Sequence, residues 1–249
     1  QVQVSDGTYL DSQTITVTIT DVNEFDPVIT SNSGGSTASI SYAENSTSTV
    51  TTVTSTDGDG TSTATYTITG GLDASLFTLG SSSGILTFNT TPNFESPHDS
   101  DTNNIYVIDV QVSDGTNLNS QTITVNITDV NEFTPVITSN SGGGTASISH
   151  NENIGTVSTV TSTDVDASST ATYSKSGTDV DDFTIDSSTG ILTFSSSPNY
   201  EVPTDSDANN EYTVIVTVTD NTSLTDTQAI TVTVTDINEA PVITSNLGG

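Results

Sequence analysis

Polar and apolar residues alternate without error along three stretches of this chain: Thr14-Ile15-Thr16-Val17-Thr18-Ile19, Thr122-Ile123-Thr124-Val125-Asn126-Ile127 and Ile230-Thr231-Val232-Thr233-Val234. A period of two puts every second side chain on one face, so each stretch predicts a strand with one apolar face against a core. No helical period of useful length appears. Between Pro27 and Thr128 the pattern predicts strands at Val28–Thr30, Ser39–Tyr42, Val50–Ser55, Ala64–Ile68, Phe77–Leu79, Gly84–Phe88, Ile105–Ser113 and Gln121–Thr128, separated by Gly and Asn/Asp turns. Seven or eight short strands in about 100 residues predict an all-β fold, a Greek-key sandwich.

The pattern then repeats. Ser41-Tyr42-Ala43-Glu44-Asn45 returns as Ser149-His150-Asn151-Glu152-Asn153, Ser55-Thr56-Asp57-Gly58-Asp59 as Ser162-Thr163-Asp164-Val165-Asp166, and Pro92-Asn93-Phe94-Glu95 as Pro198-Asn199-Tyr200-Glu201. Punctuating these copies is an acidic, proline-ended segment, Asp21-Val22-Asn23-Glu24-Phe25-Asp26-Pro27, Asp129-Val130-Asn131-Glu132-Phe133-Thr134-Pro135 and Asp236-Ile237-Asn238-Glu239-Ala240-Pro241, in steps of 108 and 107 residues. So regular a period predicts tandem sandwiches with this segment as the joint. The boundaries expected are residues 1–22 for the closing strands of an incomplete repeat, 23–130 and 131–237 for two whole repeats, and 238–249 for the start of another. Residues 1–20 correspond to 109–128. Two strands alone are marginal in water, so this end should fray or borrow a neighbour's edge.

Composition changes the picture in one respect. There are 31 acids and a single base, Lys175, for a formal net charge of −30. Nucleic acid and anionic membranes would repel such a chain, and no apolar run approaches the roughly 20 residues that span a bilayer. Low hydrophobicity with high charge is also a mark of disorder, and the unbroken alternation argues against it. Without cysteine there is no disulfide, thiolate metal site or thiol nucleophile. His98 and His150 are not aligned between the copies and no nucleophile shares a motif with them, so no enzyme is expected.

The acids collect in the turns, at the same places in both copies. Hard cations such as Ca²⁺ take six to eight oxygens from carboxylates, carbonyls and water, and an Asp-x-Asp pair aims two carboxylates to one side of a turn. A sandwich that gathers its turns at its ends would bring Glu44, Glu95 and Glu132 together with Asp164, Asp166 and Asp220 around the joint at Asn131. Six carboxylates would balance three Ca²⁺, and without metal they would repel even at an effective dielectric of about 20. The alternative is that these are solvated surface turns. Another acidic run, Asp99-Ser100-Asp101-Thr102-Asn103-Asn104 and its copy from Asp205 to Asn210, opens like an EF-hand loop but lacks the closing Glu, and reads as an Asx-rich turn.

This ordered set resembles cadherin repeats: a Glu near the first long strand, Asp-x-Asp after the second, a Glu following the Gly-Ile-Leu-Thr-Phe strand, Ser-Asp-Gly before the last strand, and the acidic joint. The resemblance covers nearly the whole chain. It implies three Ca²⁺ at each joint, with Glu44, Asn93, Glu95, Glu132 and the Val130 carbonyl on one side and Asn131, Asp164, Asp166, Asp220 and the Phe133 carbonyl on the other. Asn23, Glu24, Asp57, Asp59 and Asp114 would supply part of the preceding joint, and Glu152, Glu201, Asn238 and Glu239 part of the following one. Three features depart from the family. The joint acid is Glu24, Glu132 or Glu239 instead of Asp. Asn93 and Asn199 stand where a carboxylate is usual, and the loop after Asp-x-Asp is too short to align its carbonyl ligand.

The Ser/Thr/Asn/Asp-rich style is similar to bacterial cadherin-like repeats of large secreted adhesins. That implies an extracellular structural and adhesion module whose partners are Ca²⁺, neighbouring repeats and, for adhesion, like repeats on other cells or surface polysaccharide. The alternative is a calcium-dependent carbohydrate-binding module. Such a module needs an exposed aromatic platform, for which Tyr9, Phe25 and Phe133 are the candidates.

Overall fold

A computed structural model describes residues 1–59 and 63–242, and it is all-β as expected. The part of the expected following repeat from Ile243 onward lies outside the described residues. The chain divides into two compact units, Gln1–Thr128 and a second from Asp129.

The first unit opens with a hairpin, β1 (Val2–Ser5) and β2 (Leu10–Gln13). Its sandwich follows as β3 (Val28–Ile29), β4 (Thr37–Ala43), β5 (Thr51–Thr52), β6 (Ser55–Thr56), β7 (Thr65–Gly70), β8 (Phe77–Leu79), β9 (Ile85–Phe88), β10 (Ile105–Ser113) and β11 (Leu118–Thr128). One sheet runs β4-β11-β10-β7 and faces a second of order β5-β9-β8, with β3 and β6 paired beside them. β10 and β11 form an antiparallel hairpin, while β4 joins β11 in parallel from about eighty residues away. That long-range parallel pairing brings the start and the end of the unit's sandwich into one sheet.

The two-residue period sets the faces. Tyr106, Ile108, Val110 and Val112 of β10 and Ile123, Val125 and Ile127 of β11 point inward and are buried, and Tyr42, Tyr66, Phe77 and Leu86 close the core from the other strands. Each such side chain contributes roughly 1.5–3 kcal/mol by leaving water. One inward position of β11 is polar. Gln121 is buried, and its amide is satisfied by the Gly35 carbonyl (3.1 Å) and Asn32 (3.4 Å), tying down the loop before β4.

The second unit repeats the plan with β12 (Val136–Ile137), β13 (Thr145–Asn151), β14 (Thr156–Thr159), β15 (Ser162–Thr163), β16 (Thr172–Ser176), β17 (Phe183–Ile185), β18 (Ile191–Phe194), β19 (Glu211–Thr219) and β20 (Thr225–Thr235). Its sheets are ordered β13-β20-β19-β16 and β14-β18-β17, with β12 on β15.

Two sequence expectations need correction. The strand expected over Val50–Ser55 is two short strands in different sheets, because the chain crosses the sandwich edge at Val53, whose buried side chain and N–H bond to the Gly84 carbonyl (2.7 Å) mark the crossing. Thr14–Ile19 is not a strand, and its apolar residues meet no core: Ile15, Val17 and Ile19 are 57%, 75% and 87% exposed.

Candidate metal-binding ends of the two units

The turns expected to carry acids do gather at the ends of each unit. At one end of the first unit, Asp57, Asp59 and Asp114 each offer an oxygen, and these lie within 4.8 Å of one another. Asp57 and Asp59 flank the turn after β6, and Asp114 opens the turn between β10 and β11. The backbone holds them there. Asp59 Oδ2 accepts the Phe25 N–H at 2.9 Å, Asp57 Oδ1 accepts the Asp59 N–H at 3.0 Å, and Asp114 Oδ1 accepts the N–H groups of Thr116 and Asn117, both at 2.6 Å. Those bonds, the Asn117 one first, hold the Asp114 carboxyl below the usual range.

The oxygens left over face one another. The Asn23 side-chain amide ends 2.9 Å from Asp114 Oδ2 and 3.2 Å from Asp59 Oδ2. Either its nitrogen donates to both, or its oxygen joins theirs around a cation. Asp57 Oδ2 is buried with no hydrogen-bond partner among the described residues. A buried carboxylate oxygen in that state, in an all-oxygen set, fits a hard cation such as Ca²⁺. No basic side chain competes for it: the sole lysine, Lys175, donates its ammonium to the Val180 carbonyl at 2.6 Å. Glu24 is exposed and joins no acidic group among the described residues.

At its other end the first unit brings Glu44 and Glu95 to within 4.8 Å. Glu44 is buried at the end of β4 and its Oε2 accepts the Phe94 N–H at 2.7 Å. Asn93 does something else. Its Oδ1 accepts the Ser96 N–H at 2.6 Å and so caps its own loop, as Asn199 does for Val202 at 2.9 Å.

The second unit has both kinds of end. Around Asn131, Asp166 Oδ2 accepts the Phe133 N–H at 2.8 Å and Asp164 Oδ1 accepts the Asp166 N–H at 3.2 Å, repeating the first unit's geometry. Asp166 Oδ1 is buried without a hydrogen-bond partner among the described residues. Here, however, hydroxyls and an amide intervene. Ser169 Oγ donates to Asp164 Oδ2 (2.7 Å), Thr222 Oγ1 lies 3.1 Å from both Asp220 oxygens, and Asn131 Nδ2 donates to Asn221 Oδ1 (2.7 Å). Asp164, Asp166 and Asp220 accordingly form no group as tight as their counterparts among the described residues. Burial raises the Asp220 carboxyl, but the N–H groups of Leu224 and Thr222 outweigh it and the net shift is downward.

At the far end of the second unit Glu152, Glu201, Asp236 and Glu239 converge within 4.8 Å. Glu152, at the edge of β13, is fully buried. Its Oε1 accepts the Ile237 N–H (2.7 Å) and its Oε2 the Tyr200 N–H (2.9 Å), which together hold the carboxyl below its ordinary range. Glu239 Oε1 accepts Asn153 Nδ2 at 3.0 Å, and Asn238 is exposed. Glu132 and Val130 are exposed in the equivalent segment.

Sequence reasoning passed over Asp236 and its counterpart Asp129. Asp129 has an oxygen within 4.8 Å of one on Asp166, and its Oδ2 accepts the Ser168 N–H at 2.5 Å. The signal was available, since an aspartate opens all three joint segments.

The remaining candidates are structural. Asp99 accepts the Asn103 and Asn104 N–H groups (2.7 and 3.3 Å) and the buried Asp73 those of Ser100 and Val107 (both 2.8 Å), so this run is an Asx-capped turn, repeated at Asp205 and Asp179. His150 is buried, with Nε2 2.9 Å from the Ile154 carbonyl and its ring 5.6 Å from Phe194. His98 lines a cavity of about 120 Å³ with Leu76, Phe88 and Tyr106. Of the three candidate platform aromatics, Tyr9 stands on the exposed hairpin, Phe25 covers Gly58, and Phe133 is 38% exposed.

Comparison with known proteins now decides the fold. Over 88% of this chain the structure superposes on protocadherin gamma B2 extracellular cadherin domains 3–6 with a TM-score of 0.73 at 18% sequence identity. The fold is the cadherin sandwich. Mouse cadherin-23 EC22–24 (TM-score 0.60, 20% identity, 88% of this chain and 67% of that one) and a protocadherin gammaB7 EC3–6 cis-dimer structure (0.70, 19%, 90% and 55%) are similar as well. This chain spans 53% of the length of the first of these. The family model of the cadherin domain matches residues 145–235, from β13 to the end of β20. No curated protein matches the chain by sequence. The cadherin sandwich accounts for why each unit ends in clustered turns, since its long β-hairpin and its crossing strands turn round at the same two ends.

Proposed function

We propose that this chain is a calcium-stiffened spacer and adhesion module of a secreted or surface-anchored bacterial protein. The observation that carries it is the first unit's oxygen cluster, Asp57, Asp59 and Asp114 around Asn23, with a buried carboxylate oxygen that has no donor among the described residues. The Glu152, Glu201, Asp236 and Glu239 group is the complementary kind of end. One kind is fed by the residues that enter a sandwich and the other by those that leave it, so a joint such as Asp129–Pro135 would serve both. There Glu44, Glu95 and Glu132 would hold ions with Asn131, Asp164 and Asp166, and Asp129 would join them.

Extracellular modules of this chemistry bind Ca²⁺ at about 10⁻⁴–10⁻³ M. Binding would order each joint by neutralising oxygens that otherwise repel, turning a flexible string of sandwiches into a rod. Adhesion would then depend on stiffness and reach. Small-angle X-ray scattering of the chain in calcium and in chelator tests this: the maximum dimension and persistence should both rise with calcium, and profiles that superimpose would remove the mechanism.

A further inference from the structure

In the first unit each acid of the tight cluster is followed by glycine, as Asp57-Gly58, Asp59-Gly60 and Asp114-Gly115, whereas the second unit has Asp164-Val165, Asp166-Ala167 and Asp220-Asn221. The fold demands two of these glycines. A Cβ on Gly58 would stand 2.9 Å from Phe25 Cγ, and Gly115 has φ +98°, in the left-handed region. Among aspartyl pairings, Asp-Gly is also the one most open to one reaction, because glycine leaves the following amide nitrogen least hindered. The glycine amide nitrogen attacks the aspartate Cγ, an N–Cγ bond forms, a C–O bond breaks and water leaves. Water then reopens the succinimide at either carbonyl, giving aspartate or isoaspartate, whose backbone runs through the extra methylene.

We infer that Asp57 and Asp114 are isoaspartate-forming sites whose reaction is held back by the cation in their cluster, so that calcium sets the chemical lifetime of this end of the first unit. A bound cation would hold each carboxylate by its oxygens and keep its Cγ turned away from the glycine nitrogen. Without it the converging oxygens push apart and the turns open. This rests on the calcium reading above.

The chain carries its own control. Ser5-Asp6-Gly7-Thr8 repeats Ser113-Asp114-Gly115-Thr116, with Gly7 at the same φ of +98° and Asp6 Oδ1 accepting the Thr8 and Tyr9 N–H groups, both at 2.8 Å. Yet Asp6 belongs to no acidic group among the described residues. The two turns are alike in their backbone, and among the described residues only the Asp114 turn has carboxylates to share an ion.

The experiment ages the whole chain at neutral pH in calcium or in chelator and locates isoaspartate by peptide mapping with backbone fragmentation, with calcium binding measured calorimetrically on the same sample. Expected is several-fold more isoaspartate at 57 and 114 in chelator than in calcium, the same amount at 6 in both, and little at 164 or 166 in either. Isoaspartate at 6 but not at 57 or 114 in chelator would overturn the inference. So would equal formation at 57 and 114 in both buffers while calorimetry shows calcium bound. Absence of calcium binding would instead fell the reading beneath it, and the inference with it.

Discussion

Ile237 is fastened to Glu152: its backbone N–H donates to Glu152 Oε1 at 2.7 Å, so the segment leaving the last strand of the second unit is tethered to a carboxylate buried at the edge of β13. The same side chain holds Tyr200 through its other oxygen, next to Glu201. One ionised group therefore positions both loops that contribute to the Glu152, Glu201, Asp236 and Glu239 group.

Replacing Glu152 with alanine should release both loops at once. Two charge-assisted bonds are lost and two backbone donors are left without their acceptor. Thermal unfolding followed by circular dichroism in chelator should show Tm lowered by roughly 5–10 °C, and calorimetry should show fewer calcium sites. Glu201→Ala, which removes an exposed carboxylate, should reduce calcium binding with little change in the chelator Tm.

Identical sequence positions should respond oppositely to truncation, because one copy is in a core and the other is not. Ile123 is fully buried in β11, while its counterpart Ile15 is 57% exposed. Ile123→Ala should cost about 2–5 kcal/mol in urea unfolding, and Ile15→Ala should stay within about 0.5 kcal/mol.

Acid should weaken the calcium-free protein. Asp186 is held down by the Thr189 N–H, the Thr189 hydroxyl and the Ser188 N–H, Asp114 by Asn117 and Thr116, and Glu152 by Ile237 and Tyr200. Folded values below the unfolded ones of about 3.9 for Asp and 4.3 for Glu mean that this stability is present above about pH 4 and is lost as pH falls through the folded values. Urea midpoints in chelator should therefore decline below about pH 4, and less steeply for the second unit of Asp186→Asn. A midpoint that rises on acidification would contradict the assignment.

Much of the fold could be read from the chain. The strand pattern located β10, and the alternation located β11 and β20, because period two is a property of sequence alone. What could not be read depends on where partners are. Thr14–Ile19 carries as clean an alternation as Thr122–Ile127 yet forms no strand and stays exposed. Val53 looks like any strand valine but sits where the chain changes sheets. At the acidic ends of the units, sequence located the acids but not their rotamers: Asn93 turns to cap Ser96, and Ser169 and Thr222 occupy oxygens of Asp164 and Asp220. Asp73 and Asp179 were passed over because a buried acid that ties two loops looks, in sequence, like any turn residue.

The most direct test is a crystal grown in calcium with data collected where calcium scatters anomalously. The account predicts anomalous peaks bounded by the oxygens of Asp57, Asp59 and Asp114, and by those of Glu152, Glu201, Asp236 and Glu239. Water at both places, with the carboxylates turned apart, would contradict it.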